Sequence, residues 1–327
     1  MYDNIRLTIK NVFKDNLTRD KFCTRFGLST INEKTDNRNN SSEKNLKQNL
    51  GIYLKLKNNN LTINFSLHKV YNFWKFGKQY NYNDFSFKET KEVEAELCKM
   101  FLPYFDITQA IVEKYEVGIN VTTSEEPELY LTELKQINVG ARILKIEPDR
   151  YYKERKQYGT NSSKDKRIVY VFYDKTFEAR SKIEKADRKN VPENILRVEK
   201  DNKRIEVKFQ FANLFEDDFI ILTITEFKER FYDDLKYRET PLKNKNLTKT
   251  ENEMLCLIFE KGYDTTKKLL KESYENKNLE KRTYYRRLEA LNKANEVKSK
   301  AETKTYLHRR ALELKELIIS KLEKVSV

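Results

Sequence analysis

The sequence predicts an α+β protein: a largely antiparallel central sheet with flanking helices, followed by a C-terminal all-α module of the helix-turn-helix kind. Up to about residue 240, strand-like and helix-like segments mix without the regular alternation of a parallel α/β fold. From residue 247 onward only helical patterns recur. Although 35% of the 327 residues are charged, 19 Phe and 20 Tyr supply the apolar surface that a core needs.

The N-terminal part opens with strand patterns. Residues 4–10 alternate apolar and polar side chains and predict a strand, and a short helix is expected at residues 19–26. Residues 32–49 are dominated by Asn, Ser, Lys and Glu, so we expect a mobile loop there. Residues 51–57 and 61–68 have strand patterns on either side of consecutive Asn residues, which tolerate left-handed backbone conformations. These two segments predict a β-hairpin.

The middle of the chain continues the mixture of elements. The predicted helices are residues 88–102, 125–136 and 217–238, and the predicted strands are residues 112–121, 142–146, 168–175, 195–199 and 205–211. Residues 151–166 form a polar, mostly basic connection. Together with the N-terminal part, these elements make a predicted domain of residues 1–240.

The strand at residues 168–175 is the most distinctive of the set. Both of its alternating faces are apolar, so it should lie inside the sheet and not at an edge. It ends in Tyr173, Asp174 and Lys175 and runs into a basic helix that contains Arg180. A phenol at the end of a buried strand would be held in a fixed position.

A short basic linker, residues 241–246, leads to the predicted helical module of residues 247–327. Helices are expected at residues 248–261, 265–274, 279–298 and 304–322. The third carries basic side chains suited to DNA, at Lys281, Arg282, Arg286 and Arg287. Modules of three helices also mediate protein contacts, so that alternative stays open. The last helix is amphipathic and is expected to pack back on the module or to form a homodimer.

The formal net charge of +14 favours a polyanionic partner, and nucleic acid is the leading candidate. The alternative is a charge that serves solubility, or the Lys and Asn bias of an AT-rich genome. Aromatic and basic residues interleave around Lys69, Trp74 and Lys75, a pattern that suits base stacking combined with phosphate contact. The aromatic side chains of that segment could equally fill the core.

Several classes of protein are disfavoured. The three Cys lie far apart, which excludes a disulfide framework and a Cys-x-x-Cys metal knuckle. The seven Gly form no phosphate-binding loop, and the two His, His68 and His308, form no His-x-x-x-His site. No apolar run is long enough for a membrane helix and no signal peptide is recognisable, so we expect a cytoplasmic protein.

Two further strands carry acidic side chains. Alternation in residues 115–121 places Glu116, Gly118 and Asn120 on one face, and in residues 195–199 it pairs Arg197 with Glu199. If the strands are neighbours, the two carboxylates and the Asn oxygen could bind Mg²⁺ or Mn²⁺. The alternative is an ordinary solvated face with local ion pairs.

The ordered set of residues 112–121, 168–178 and 195–200 resembles the replication initiators of filamentous phages and related plasmids, the gene II/X type of rolling-circle nicking-joining protein. Residues 66–69, which include His68, are similar to an earlier motif of that family. The likeness covers roughly residues 1–240. The wider superfamily of tyrosine nickases uses a His-hydrophobic-His metal pair, which this sequence lacks.

The resemblance implies that Tyr173 is the nucleophile, Lys175 a neighbouring cation, and Glu116 and Glu199 part of a metal site with Asn120 and His68. It implies a protein that nicks one strand of origin DNA, leaves a 5′-phosphotyrosine and a 3′-OH for a host polymerase and helicase, and then rejoins the strand. Other candidate nucleophiles are Tyr151, Tyr152, Tyr170 and Tyr232. The alternative function is non-enzymatic binding of an origin or operator.

Overall fold

The computed structural model describes residues 2–32, 37–40, 50–149, 156–160, 167–241, 247–299, 305–307 and 309–325. The chain forms two compact units. The first contains the residues up to Leu235 together with those from Glu313 onward, and the second contains Lys236–Leu312.

The first unit is built on a large antiparallel sheet, which confirms the predicted α+β class with a largely antiparallel sheet. Its strands follow the spatial order β7-β8-β9-β10-β11-β6-β1-β5-β4-β3-β2. The strands are β1 (Tyr2–Ile9), β2 (Ser29–Asn32), β3 (Asn37–Asn39), β4 (Tyr53–Lys57), β5 (Asn60–Ser66), β6 (Ile111–Thr122), β7 (Leu134–Val139), β8 (Arg142–Pro148), β9 (Gln157–Thr160), β10 (Ile168–Asp174) and β11 (Ile195–Asn202). β10 lies between β9 and β11, so it is an interior strand as predicted.

Helices connect these strands, and several begin at a side-chain cap. The helices are α1 (Asn16–Phe26), α2 (Leu67–Phe76), α3 (Phe87–Phe101), α4 (Pro127–Leu131), α5 (Lys175–Lys182) and α6 (Asp217–Lys228). Ser86 and Glu89 form a reciprocal capping box at the start of α3. Asp174 caps α5 by accepting from the Phe177 backbone N–H at 2.8 Å, so the chain turns from strand to helix directly after Tyr173.

Helices and helical turns cover one face of the sheet with aromatic side chains. The Tyr2 ring of β1 packs 5.2 Å from Phe87, and the Phe172 ring of β10 packs 5.5 Å from Phe231. Tyr2 and Phe172 are fully buried. Since successive side chains of a strand point to opposite faces, the neighbours of these residues along each strand point to the other, open face.

The hairpin expected at residues 51–68 is present, because β4 and β5 pair across Asn58 and Asn59, which have φ values of 48° and 60°. The expected mobile loop at residues 32–49 contains an ordered strand, β3, that pairs with β2 and β4. The fully buried Asn40 side chain accepts from the Leu54 N–H at 2.6 Å and donates to the Ile52 carbonyl at 3.0 Å. These contacts hold a segment whose composition alone suggests disorder. Residues 33–36 and 41–49 lie outside the described residues.

Three other expectations differ from the structure. The helix predicted at residues 125–136 ends at Leu131, and β7 follows it. The strand predicted at residues 205–211 is absent from the described residues 203–210 except for a single bridge between Gln210 and Ile111. The helix predicted at residues 217–238 ends at Lys228, followed by a π-helical turn (Glu229–Asp233) and a short strand, β12 (Leu235–Tyr237). Within the polar connection at residues 151–166, β9 occupies Gln157–Thr160.

The second unit contains the expected helices α7 (Lys249–Lys261), α8 (Tyr263–Glu275) and α9 (Lys281–Ser299). Met254, Leu255, Ile258 and Leu291 lie in its core. It is not all-α as predicted, because β13 (Glu239–Pro241) and β14 (Thr305–Leu307) pair as an antiparallel ribbon. Pro241 of the predicted linker belongs to β13, and residues 242–246 lie outside the described residues.

The last helix, α10 (Arg309–Val325), differs from its predicted place in the helical module, because its residues from Glu313 onward belong to the first unit. The Glu313 carboxylate accepts from the Ser124 backbone N–H at 2.9 Å and from the Tyr130 hydroxyl at 2.7 Å. Leu314 and Ile318 are fully buried. The amphipathic face predicted for this helix therefore packs within the first unit.

Candidate functional site

The open face of the sheet gathers polar side chains from three adjacent strands, β10, β11 and β6. Their register places Tyr173 opposite Arg197 and Arg197 opposite Asn120. In the next row Glu199 lies opposite Gly118, and in the row after it Asp201 lies opposite Glu116. An open cleft of about 780 Å³ runs over this face. Glu116, Tyr173 and Glu199 therefore lie on one face of the sheet.

Tyr173 lies at the end of its strand and lines the cleft. Its hydroxyl donates a hydrogen bond to Glu199 Oε1 at 3.1 Å. Burial, and then the negative charge of Glu199, raise the pKa of Tyr173 well above the ordinary value of a phenol. The resting side chain is thus a neutral phenol whose proton already points at a carboxylate.

Arg197 occupies the middle of the site and is only 2% exposed. Its guanidinium donates to Asp3 Oδ2 at 2.6 Å, to Asn120 Oδ1 at 3.0 Å and also to Glu199. Burial opposes ionisation of Asp3, but the Arg197 charge, together with His68, the Ser66 hydrogen bond and Lys175, lowers the Asp3 pKa. Arg197 therefore holds the carboxylate that faces the Tyr173 hydroxyl.

Gly118 lies between Glu116 and Asn120 on the polar face of β6 and places no side chain there. A Cβ atom at this position would lie 2.9 Å from Arg197 Nη2 and 2.9 Å from Glu199 Cγ. Both distances are closer than real carbon contacts, so a larger residue would push these two side chains away. The glycine allows the Arg197–Glu199 pair to lie flat on the sheet.

A second cluster of charges surrounds Glu116. The Lys114 ammonium contacts Glu116 Oε1 at 2.7 Å and Asp201 Oδ1 at 3.3 Å. Burial, followed by the charge of Glu199, raises the pKa of Glu116 to about 7. Asp201 is 7% exposed, and its carboxylate shares the Lys114 ammonium with Glu116.

Lys175, the first residue of α5, lies beneath the phenol. Its Nζ atom is 5.6 Å from the centre of the Tyr173 ring and 2.8 Å from Glu178 Oε2. Burial, followed by repulsion from Arg197, lowers the pKa of Lys175 to about 7. Near neutral pH this side chain is therefore divided between its charged and neutral forms.

The structure does not bring all four predicted metal ligands together. His68 stacks on the Phe85 ring at 4.6 Å, and its Nε2 atom shares a 2.7 Å hydrogen bond with Asn83 Oδ1. Burial lowers the pKa of His68 to about 3. The Asn120 oxygen is taken by Arg197. Over the described ranges, no group of three or more His, Cys, Asp or Glu side chains is arranged to hold a metal ion.

Of the four other candidate tyrosines, two belong to the described residues and two do not. Tyr170 is buried against Phe231 on the helix-covered face, and the Tyr232 ring lies 5.2 Å from the Lys315 ammonium. Tyr151 and Tyr152 lie outside the described residues.

The predicted DNA-binding residues of the first unit have different settings. Lys69 lines the cleft beside Tyr173. Trp74 is 44% exposed, and the Lys75 ammonium lies 4.5 Å from the centre of its ring, which leaves an exposed aromatic and cationic pair. Arg180 donates to the Val191 carbonyl at 3.1 Å and pairs with Glu193 at 3.3 Å, so it also supports its own loop.

The predicted DNA-binding residues of the second unit lie together on α9. Lys281, Arg282 and Arg286 are exposed, and Arg287 is partly buried. The neighbouring Tyr285 is 55% exposed. This helix thus presents several cations around an exposed ring.

Sequence reasoning missed Asp3, Lys114 and Asp201 as members of the site. Asp3 comes from the first strand of the chain and contacts Arg197 across a separation of 194 residues, which no local pattern reveals. Lys114 and Asp201 carry a detectable signal, because each continues the same-face alternation from Glu116 or Glu199 by one step of two.

No helix in the described residues is long and apolar enough to cross a membrane. Comparisons of the chain with family models, with curated proteins and with solved structures found no match.

Proposed function

We propose that the protein initiates rolling-circle replication by nicking one strand of origin DNA through Tyr173 and later rejoining it. The observation that carries the proposal is the 3.1 Å hydrogen bond from the Tyr173 hydroxyl to Glu199 at the wall of an open polar cleft. A nucleophile beside a carboxylate that can take its proton is the arrangement that phosphoryl transfer to tyrosine needs.

In the proposed reaction, Tyr173 Oη attacks the phosphorus of a phosphodiester in single-stranded DNA. The new bond joins Oη to phosphorus, and the bond from phosphorus to the 3′ oxygen breaks. The phenol proton passes to Glu199, and the departing 3′ oxygen takes a proton from Lys175, whose pKa of about 7 suits that transfer. The products are a 5′-phosphotyrosine and a free 3′-OH, and the reverse steps rejoin the strand.

The proposal includes a divalent cation, Mg²⁺ or Mn²⁺. The Glu116 and Asp201 carboxylates fit such an ion, which would take the place that the Lys114 ammonium now fills between them. Mg²⁺ commonly binds through one or two carboxylates together with substrate phosphate oxygens. Bound there, the ion would neutralise charge on the transferring phosphoryl group.

The helical unit supplies a second DNA contact in this proposal, as a helix-turn-helix-like module. Lys281, Arg282, Arg286 and Arg287 of α9 would bind the duplex next to the nick site. Since phosphate contacts are additive and salt-sensitive, removing these charges should weaken origin binding without altering strand transfer on a short oligonucleotide.

The test incubates the protein with supercoiled plasmid carrying its own origin and Mg²⁺ or Mn²⁺. Nicked circles that retain the protein in detergent are expected, and Tyr173→Phe should abolish the adduct. This substitution keeps the aromatic ring and removes only the hydroxyl, so circular dichroism should be unchanged. Tyr170→Phe, on the opposite face, is the matched control and should retain the adduct. An adduct that persists in Tyr173→Phe contradicts the proposal.

The second candidate function is non-enzymatic binding of an origin or operator. The observation that favours it is the resting state of the site: Tyr173 has a raised pKa, and Glu199 is engaged by Arg197. In that case the protein binds origin DNA tightly but leaves supercoiled plasmid intact with either metal.

A further inference from the structure

A second cleft, which we call the basic groove, lies over the same open face of the first unit and has a volume of about 1030 Å³. Its walls carry six cationic side chains but only two carboxylates, Glu113 and Glu206. The cations are Arg6, Lys55, Arg167, Lys203, Arg204 and Lys208. None of them belongs to the DNA-binding set expected from the sequence.

Strand register shows that the basic groove continues the face that bears Tyr173. Arg6 of β1 pairs with Lys114 of β6 on one side and with Asn64 of β5 on the other. Asn64 in turn pairs with Tyr53 of β4. Since directly paired residues share a face, this row runs from the Glu116 strand to the far side of the groove. Lys203 lines both clefts.

The positive charge of the groove is only partly neutralised. Arg167 pairs with Glu206 and Lys208 pairs with Glu113. Lys55 and Arg204 are exposed, and neither forms an ion pair within the described ranges. The Arg6 guanidinium donates to Asn64 Oδ1 at 2.8 Å, a neutral partner that leaves its charge uncompensated. An anionic ligand would supply the counter-charge that Lys55, Arg204 and Arg6 lack within the described ranges.

The groove suits a flexible strand better than a duplex. Its walls come from strands and from the segment around residues 203–208, so it offers no helix that could enter a major groove. The partly buried Tyr53 ring lies among the cations, beside the neutral Thr8, Thr62 and Asn64. Cations that track a backbone together with an aromatic ring for stacking are the usual features of single-strand binding sites.

We propose that the basic groove binds the single-stranded DNA that flanks the phosphate attacked by Tyr173. This inference rests on the proposed function, because the proposed path of the DNA strand begins at the Tyr173 cleft on β10. From there the strand crosses β11, β6, β1 and β5 to reach β4. Five strand spacings of about 4.8 Å give a path of roughly 24 Å. A stacked strand of about 3.4 Å per nucleotide would need about seven nucleotides to cover it.

The test measures binding of fluorescent oligonucleotides to Tyr173→Phe protein, which cannot form an adduct. Affinity should rise with length up to about seven nucleotides on one side of the nick position and then level off. Lys55→Gln combined with Arg204→Gln should weaken binding of the longer oligonucleotide about tenfold and lower the salt slope by about 1.4, because two phosphate contacts are lost. Binding of an oligonucleotide too short to reach the groove should not change.

The matched control is Lys21→Gln combined with Lys88→Gln, which removes two exposed cations from helices α1 and α3. It should change affinity by less than about twofold. Equal weakening in both double variants, or tighter binding of duplex DNA or of RNA of the same sequence, would overturn the assignment of the groove to single-stranded DNA.

The outcomes separate this inference from the proposed nicking. If length-dependent binding is lost in the groove variant while wild-type protein fails to nick its origin, the groove assignment stands and the enzyme proposal falls. If the wild type nicks and the groove variant retains the full gain with length, the groove assignment falls alone.

Discussion

The two faces of the central sheet bury side chains of opposite chemistry. On the helix-covered face, Tyr2, Tyr170 and Phe172 pack against other aromatic rings. On the open face of the same strands, Asp3 and Arg197 are each only 2% exposed. A buried aromatic ring stabilises the fold without a charged partner, whereas a buried charge is costly unless its counter-charge lies beside it.

This difference between the two faces indicates on which face a functional site should be sought. A sheet needs one apolar face to fold, and the helix-covered face meets this need. The buried charges of the open face contribute little net stability compared with apolar residues of the same size. These buried charges therefore mark the open face as the place to test for chemistry, and they motivate substitutions that treat the two faces separately.

The largest effect is expected from Arg197→Leu. The substitution leaves Asp3 and Glu199 buried without their cation, and it should lower the free energy of unfolding by about 3–5 kcal/mol. Urea denaturation at neutral pH measures the loss. Adding Asp3→Asn and Glu199→Gln removes the stranded charges and should restore at least half of the stability. A single variant as stable as the wild type would refute this account of the open face.

A smaller effect of opposite sign is expected from Glu116→Gln. The folded pKa of Glu116 is raised from 4.5 to about 7, so folding loses stability as pH rises through that window. Removing the charge should raise the free energy of unfolding at pH 8 by about 1–3 kcal/mol, and the gain should vanish towards pH 4. Denaturation at several pH values measures it.

Glu113→Gln is the matched control for Glu116→Gln, because Glu113 lies on the same strand and pairs with Lys208 near the surface. It should change stability by less than about 1 kcal/mol at either pH. A loss of stability at pH 8 in Glu116→Gln would mean that the ion pair with Lys114 outweighs the cost of burying the carboxylate.

The smallest effect on function is expected from Phe172→Leu, on the helix-covered face. Losing part of the ring that contacts Phe231 should cost about 1 kcal/mol of stability. Because this side chain points away from the cleft, formation of a detergent-resistant DNA adduct should proceed as in the wild type. A selective loss of adduct in a stably folded variant would show that the two faces are coupled.

Much of the fold could be predicted because alternation is a strong signal in this chain. The interior position of Ile168–Asp174 follows from its two apolar faces, and the turn at Asn58 and Asn59 follows from their tolerance of positive φ. Prediction was weaker where polar residues form strands. Gln157–Thr160 has no hydrophobic pattern and is a strand because β8 and β10 flank it.

The helix predicted at residues 125–136 was wrong in its second half for a related reason. The helical pattern continues only to Leu131. Leu134 and Ile137 are buried in β7, which pairs with β8 from Gln136 to Val139. Tertiary pairing there overrides local propensity.

For the candidate site, period two grouped Glu116 with Asn120 and Arg197 with Glu199, but it could not show that Tyr173 shares their face, which follows from the register of the strands. It could not reveal Asp3, because the Asp3–Arg197 contact depends on β1 pairing with β6, which is a property of the whole sheet. Nor could it show that the Asn120 oxygen is already occupied by Arg197.

Because the last helix belongs to the first unit from Glu313 onward, recombination cannot exchange the second unit through a single junction. The helical unit, Lys236–Leu312, is bounded on both sides by segments of the first unit. A single exchange point near residue 240 would replace the helices of the second unit together with Glu313, Leu314 and Ile318, which are buried or bonded within the first unit. Exchange of the second unit alone requires two recombination junctions, one near residue 236 and one near residue 312.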